Sequence, residues 1–392
     1  MASRQVSPRA EHFELPQYVP GLDYLRGLAV LLVVLYHGLY WSDNGVSHYK
    51  IVGTFLGATV FGWLGVNLFF VLSGFLITGI LLDTKTKPDY FKRFYERRSR
   101  RILPAYFLTI LLLLAGGLFT VHDILPAVFF LSNLTSLTHF PKHYGPFWSL
   151  AVEEQFYLVW PVTVLLLKGR TALAWFSVGI CFAEPILRLL SFLKTPYMGD
   201  VSTVTWLTAD NLAIGALLAI FCRSTICTTR SIKWLAALLF SLGVILLITL
   251  IPLGILHRDS ALGAALQSVP WNLIFAACLL TSLQVGDQLK KLRILSFLPF
   301  LGYISYGLYL IHVLTFDLYD KVAASNGLPG FHGRLDLLLL RLLVVFVIAV
   351  GAATLSRATI EDWFLAKKKT RQTSTPVPRD SDGVSDLEFQ RP

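Results

Sequence analysis

Charge is what this chain lacks. Only 15% of its 392 residues are Asp, Glu, Lys or Arg, where a soluble domain carries about a quarter. Cysteine is scarce as well, with four in the whole chain. Cysteines so few and so scattered exclude a small disulfide scaffold. With 55% hydrophobic residues, the shortage of charge also excludes a disordered chain and an ordinary cytosolic globule. Mean hydropathy is +0.62. What remains is a polytopic membrane protein. Its net charge of +10 reads as a basic cytoplasmic face rather than a nucleic-acid surface.

Apolar stretches of roughly 20 residues are long enough to cross a hydrocarbon core of about 30 Å. Ten occur, at 23–41, 60–82, 101–119, 149–167, 171–193, 204–222, 233–252, 266–285, 296–318 and 337–359. The expected fold is therefore all-α, a transmembrane helix bundle of about ten spans. An eleventh stretch, 124–137, is short and holds Pro126 and Asn133. It suits a re-entrant or interfacial helix, which is tolerated only where protein or water covers it.

The loops support this count. With the N-terminus inside, the inner loops and their helix boundaries hold sixteen Lys and Arg, and the outer loops six. The basic C-terminal tail adds to the inner side, so the positive-inside rule favours ten spans with both termini cytoplasmic in the plasma (inner) membrane. Residues 1–22 read as a polar cytoplasmic tail, 23–362 as the transmembrane domain and 363–392 as a disordered polar tail. The first apolar run is too long for a cleaved signal. The four cysteines match no metal-ligand spacing and read as reduced and structural, and no metal is expected.

Ionisable groups at membrane depth cost about 2.5–3.5 kcal/mol on insertion scales and therefore mark function. The first span carries Asp23, Arg26 and His37. At 100° per residue Arg26 and His37 share a face within about 20° and lie about 16 Å apart along the axis. A charged inner end is thus joined to an imidazole in the outer half of the bilayer. A neutral imidazole is a competent proton acceptor for a hydroxyl. The fourth span opens with "FWSLAVEEQFYLVWP", placing Ser149, Glu153 and Tyr157 at i, i+4 and i+8 on one helical face. The first inner loop ends in "FYERRSRRILPAY". Its arginines serve either as a topological anchor or as a phosphate cradle, since a guanidinium is forked and always charged. Arg98 with Arg101, or Arg97 with Arg100, would share a face. Glu184 and Arg188, spaced i and i+4, read as a structural pair, while Asp210, Asn211, His312 and Arg341 are further polar residues at membrane depth.

Five segments in register resemble the membrane-bound acyltransferase family 3, which includes polysaccharide and O-antigen O-acetyltransferases. They are "GLDYLRGLAVLLVVLYHG", "GVNLFFVLSGFLITGIL", "FYERRSRRILPAYF", "FWSLAVEEQFYLVWP" and "LGYISYGLYLIH", running from residue 21 to 312. The resemblance implies an O-acyltransferase (EC 2.3.1.-) with His37 as catalytic base and Arg98 and Arg101 as the Arg-x-x-Arg motif. Arg97–Arg100 is a second register, and Glu153 matches the family's acidic residue. The implied donor is acetyl-CoA or another acyl-CoA, without a metal. The implied acceptor is a hydroxyl of a glycan or similar molecule at the outer face, with Glu153 orienting or recharging the imidazole. The competing class is a transporter or flippase for a lipid-linked or acylated molecule. It predicts paired half-bundle repeats, and the sequence shows none.

Overall fold

A computed structural model describes residues 13–16, 18–40, 42, 53, 56–134, 144–194, 203–255, 260–331 and 334–364. Most of the two expected tails and residues 135–137 lie outside the described residues. Thirteen α-helices are used below: α1 Pro20–Leu35, α2 Leu64–Thr84, α3 Tyr90–Ala115, α4 Val121–Val128, α5 Phe147–Leu166, α6 Arg170–Lys194, α7 Ala209–Phe221, α8 Thr229–Leu250, α9 Ala261–Leu266, α10 Ser268–Leu289, α11 Phe297–Tyr303, α12 Ser305–Ser325 and α13 Leu335–Ser356. The fold is all-helical, as expected, and each of the ten apolar stretches falls on one or two of these helices.

Length and apolarity alone do not confirm all ten expected spans. Among the described residues six helices are long and apolar enough to cross a membrane, or seven if α11 and α12 form one span bent by 84°. The three shortfalls have separate causes. In α3 the helix continues back through the arginines to Tyr90, so charge dilutes it. In α5 two glutamates and a glutamine interrupt the apolar run. Helix α7 has 13 residues, too few for a hydrocarbon core at 1.5 Å per residue.

The helices lie in two packed groups. One core draws chiefly on α1, α2, α3, α5, α7, α12 and α13, and the other on α1, α2, α7, α8 and α10. Helices α1, α2 and α7 contribute to both. Helix α2 is buried along most of its length, whereas α6 and α8 turn most of theirs outward. Trp175 is 71% exposed and Leu238 63%, which is the apolar exterior a bilayer would cover. Without a hydrophobic driving force in lipid, helices associate through close backbone packing at small residues. The α2–α7 contact is of this kind: a Cβ on Gly74 would stand 2.0 Å from the Leu212 carbonyl oxygen, and one on Gly215 would stand 2.1 Å from that of Val71.

In the short stretch after α3 the helix runs over Val121–Val128, earlier than the expected 124–137. Helix α4 is closed at its N-terminus by a capping box between Thr120 and Asp123, which satisfies its free amides. Asn133 is buried. The Gln155 amide on α5 donates to the Phe130 carbonyl at 2.8 Å and to Asn133 Oδ1 at 2.9 Å, which ties the end of this segment to α5.

Candidate active site

A cavity opens among α1, α2, α3, α5 and the α11–α12 bend, with about 780 Å³ of empty space when the open solvent at its mouth is counted. Its charged wall comes from α3. The charge run at 83–100 predicts an inner loop, but the chain is helical from Tyr90. Arg, Lys and Glu are good helix formers, and an Arg100–Glu96 ion pair of 2.6 Å at i and i+4 supports the turn. A continuous helix fixes the register that the doubled arginines left open. Arg98 and Arg101 line the cavity. Arg97 points outward and is exposed, and Arg100 is turned to Glu96. The pair facing the cavity is therefore Arg98–Arg101.

Helix α5 supplies the opposite wall. Ser149, Glu153 and Tyr157 all line the cavity, as their i, i+4, i+8 spacing requires. The helix starts after Pro146. The Ser73 hydroxyl of α2 donates to Glu153 Oε1, and the Arg98 guanidinium lies 5.1 Å above the Tyr157 ring. Arg26 reaches the same cavity from α1 while paired with Asp23 at 3.0 Å. Asp23 also accepts from the Tyr18 hydroxyl at 2.8 Å. Among the described residues neither Arg98 nor Arg101 makes a salt bridge. Three guanidinium groups thus share a cavity whose wall carries one carboxylate, and two of them are free to bind an anion bidentately.

His37 is not in this wall. Past Leu35 the first helix loosens into a π-turn, Tyr36–Tyr40, a local expansion that recurs at functional sites. The cavity ends at Ser149 and Tyr309, whose hydroxyls are 2.5 Å apart. Behind Tyr309 lies His312, with ring centroids 5.8 Å apart, and behind His312 lies His37, at 5.0 Å. The single open passage expected from the arginines to His37 is not formed: neither imidazole lines the cavity, and both lie beyond Tyr309. Glu153, expected to orient the imidazole, sits instead with the arginines. It is one turn deeper along α5 than Ser149, whereas His37 packs beyond Tyr309. His37 Nδ1 lies 2.9 Å from the Val33 carbonyl of its own helix, and its side-chain partner is His312, whose Nε2 is 3.3 Å away. Sequence reading left His312 without a role. Its spacing from Tyr309, three residues along the same helix, was a signal that both share a face.

Glu184, Arg188, Asp210 and Arg341 are paired, and Glu184 and Arg188 pair differently from their local spacing. Arg188 stands 3.8 Å from Glu184 but 2.8 Å from Asp210 on α7. The Glu184 carboxylate instead accepts the backbone amides of Ala209 and Asp210, at 2.8 Å each. It caps α7 from another helix, where negative charge favours the N-terminus. Arg341 is clamped by both oxygens of Asp320, at 2.7 and 2.6 Å, and also donates to Ser42. Ser42 in turn donates to the His37 carbonyl. This cluster anchors the end of the π-turn to α12 and α13.

Comparison with known proteins decides the family. The profile of the acyltransferase domain of acyltransferase family 3 matches residues 19–357. The chain belongs to this family. Two relatives are each 35% identical to it. One is the peptidoglycan O-acetyltransferase OatA of Listeria monocytogenes, over 38% of this chain and 25% of the relative. The other is YrhL of Bacillus subtilis, provisionally named a peptidoglycan O-acetyltransferase, over 52% of this chain and 33% of the relative. A Staphylococcus aureus protein provisionally named an O-acetyltransferase is 34% identical over 52% of this chain and 35% of its own length. The matched segment thus spans about a third or less of each relative. No solved structure matches. An acyltransferase domain in an apolar helical bundle makes this a membrane protein of the acyltransferase class.

Proposed function

We propose that this protein is a membrane O-acyltransferase that moves an acyl group, acetyl in the simplest case, from acyl-CoA to a glycan hydroxyl. The observation that carries the proposal is the pair of unpaired guanidinium groups, Arg98 and Arg101, in a cavity that ends one tyrosine away from two imidazoles. The CoA phosphates are held at Arg98 and Arg101 with Arg26 beside them, and charge-assisted bidentate bonds fix the donor's register. The thioester end advances toward Ser149 and Tyr309. Rotation of the Tyr309 side chain joins the cavity to the imidazoles. His37 then takes the proton of the acceptor hydroxyl as its oxygen attacks the thioester carbonyl. The C–S bond breaks, and the CoA thiolate recovers the proton. General-base help of this kind contributes about 10²–10⁴-fold, and alignment of donor and acceptor supplies the remainder.

In this account the span count of ten, with both termini cytoplasmic, sets the arginines at the inner mouth in a plasma membrane. A donor confined to the cytoplasm then acylates a glycan displayed outside. Peptidoglycan sugars are the first acceptors to try, because two of the relatives carry that substrate in their names.

The test uses purified protein in detergent, where no gradient exists, with acetyl-CoA and muramic-acid oligosaccharides. Acceptor-dependent release of CoA thiol, lost by at least about 10²-fold in His37→Ala, supports the reading. Binding of acetyl-CoA without thiol release by the wild type contradicts it and favours transport.

A further inference from the structure

The two imidazoles constrain each other's protons. On α12, His312 Nδ1 lies 2.8 Å from the Tyr309 carbonyl oxygen and 3.2 Å from that of Leu308. Both neighbours only accept, so Nδ1 carries the hydrogen, and in the neutral ring Nε2 is a bare acceptor. That bare nitrogen is the one 3.3 Å from His37 Nδ1. His37 Nδ1 also lies 2.9 Å from the Val33 carbonyl oxygen. Facing two acceptors, His37 Nδ1 must carry its own hydrogen, which leaves the lone pair on Nε2. His312 is wholly buried and fixed by its helix, so the chain of donors runs in one direction only.

The free nitrogen of His37 faces a glycine. A Cβ at Gly145 would stand 3.9 Å from His37 Nε2, so this glycine borders the free nitrogen at van der Waals distance. The glycine is held in place by its neighbour. The Tyr144 hydroxyl donates to the Leu310 carbonyl at 2.7 Å and accepts the Leu314 amide at 2.8 Å, which fastens the entry to α5 onto the helix carrying His312.

We infer that His312 is a positioning residue: its Nε2 accepts the Nδ1 hydrogen of His37 and thereby holds the Nε2 lone pair of His37 toward the acceptor hydroxyl. The inference rests on the proposed role of His37 as base. When the hydroxyl proton arrives at His37 Nε2, the Nδ1 hydrogen stays in place and its bond to His312 strengthens, because a charged donor binds more tightly than a neutral one. His312 thus fills the orienting place that a carboxylate occupies in a hydrolase triad, without placing a second charge at membrane depth.

The experiment compares His312→Phe, His312→Gln and His37→Ala in full-length protein, with folding checked by thermal melting. Phe keeps a planar ring but has no acceptor. Gln carries an amide oxygen of similar reach. The expected result for His312→Phe is a fall in kcat of about 10²-fold, the lower end of what a general base contributes, with the KM for acetyl-CoA within about twofold. His312→Gln is expected to recover at least tenfold of that loss. Nitrogen-15 spectra of histidine-labelled protein should show His37 protonated at Nδ1 and bare at Nε2 in the wild type, and a mixture of tautomers in His312→Phe. A His312→Phe enzyme within threefold of wild type overturns the inference, as does an equal loss in Phe and Gln variants or the opposite His37 tautomer. If His37→Ala stays active, the base assignment itself falls, and the spectra still decide whether His312 sets the tautomer.

Discussion

The register of the arginines has a measurable consequence. Arg101→Ala removes one of the two unpaired guanidinium groups that face the cavity, and with it the charge-assisted bonds it would make to a donor phosphate. Such a bond contributes about 1.5–3 kcal/mol. At 1.4 kcal/mol per factor of ten, the KM for acetyl-CoA should rise about 10- to 150-fold. Arg101→Lys keeps the charge but loses the planar fork, so its rise should be smaller. Arg97→Ala is the control one helical step away. Its side chain is exposed, and its removal should leave KM within about twofold, the scale of an exposed, screened charge. The assay is a donor titration at saturating acceptor, monitored by thiol release, with Arg98→Ala run in parallel. Equal effects from Arg97→Ala and Arg101→Ala would refute the reasoning, because the cluster would then act as a diffuse basic surface.

Three further outcomes follow from the packing. Arg188→Ala leaves the Asp210 carboxylate buried without its guanidinium, and breaking a buried pair in this way costs about 3–5 kcal/mol, read as a lower melting temperature in detergent. A melting temperature equal to wild type would mean that water reaches this pair. Gly74→Val drives a side chain into the Leu212 carbonyl and should cost at least about 1–3 kcal/mol from overpacking, whereas Gly179→Ala, where a Cβ meets nothing, should be tolerated. Glu153→Gln keeps an acceptor for Ser73 and removes the carboxylate charge from the cavity proposed to hold the donor's phosphates. Donor KM should fall a few-fold with kcat largely kept, and a loss as deep as that of His37→Ala would place this carboxylate in proton transfer.

Much of the fold was legible because lipid imposes a one-dimensional rule: length and apolarity select the helices. The ends were less legible. Helix α3 begins at Tyr90 because charged residues with good helix propensity continue it beyond the apolar run, and α7 is short because Thr208 and the residues before it make a turn capped by Glu184. Those facts depend on partners distant in sequence. The site divides in the same way. Ser149, Glu153 and Tyr157 were placed together by helical spacing alone, and so were Arg98 and Arg101 as one of two registers. The choice between registers needed the helix to pack against α5. The partnership of His37 with His312 joins residues 275 positions apart, and helical periodicity says nothing about which helices become neighbours. The π-turn at Tyr36–Tyr40 likewise has no pattern in the sequence, and it makes an extrapolated α-helical face unreliable as a guide to where His37 points.

The most direct measurement is made in sealed, oriented vesicles, with acetyl-labelled acetyl-CoA confined to the arginine face and a muramic-acid oligosaccharide on the other. The account predicts labelled oligosaccharide on the far side, CoA thiol retained on the near side, and neither in His37→Ala vesicles. Intact acetyl-CoA crossing to the far side, or labelled product formed as fast by His37→Ala, would contradict it.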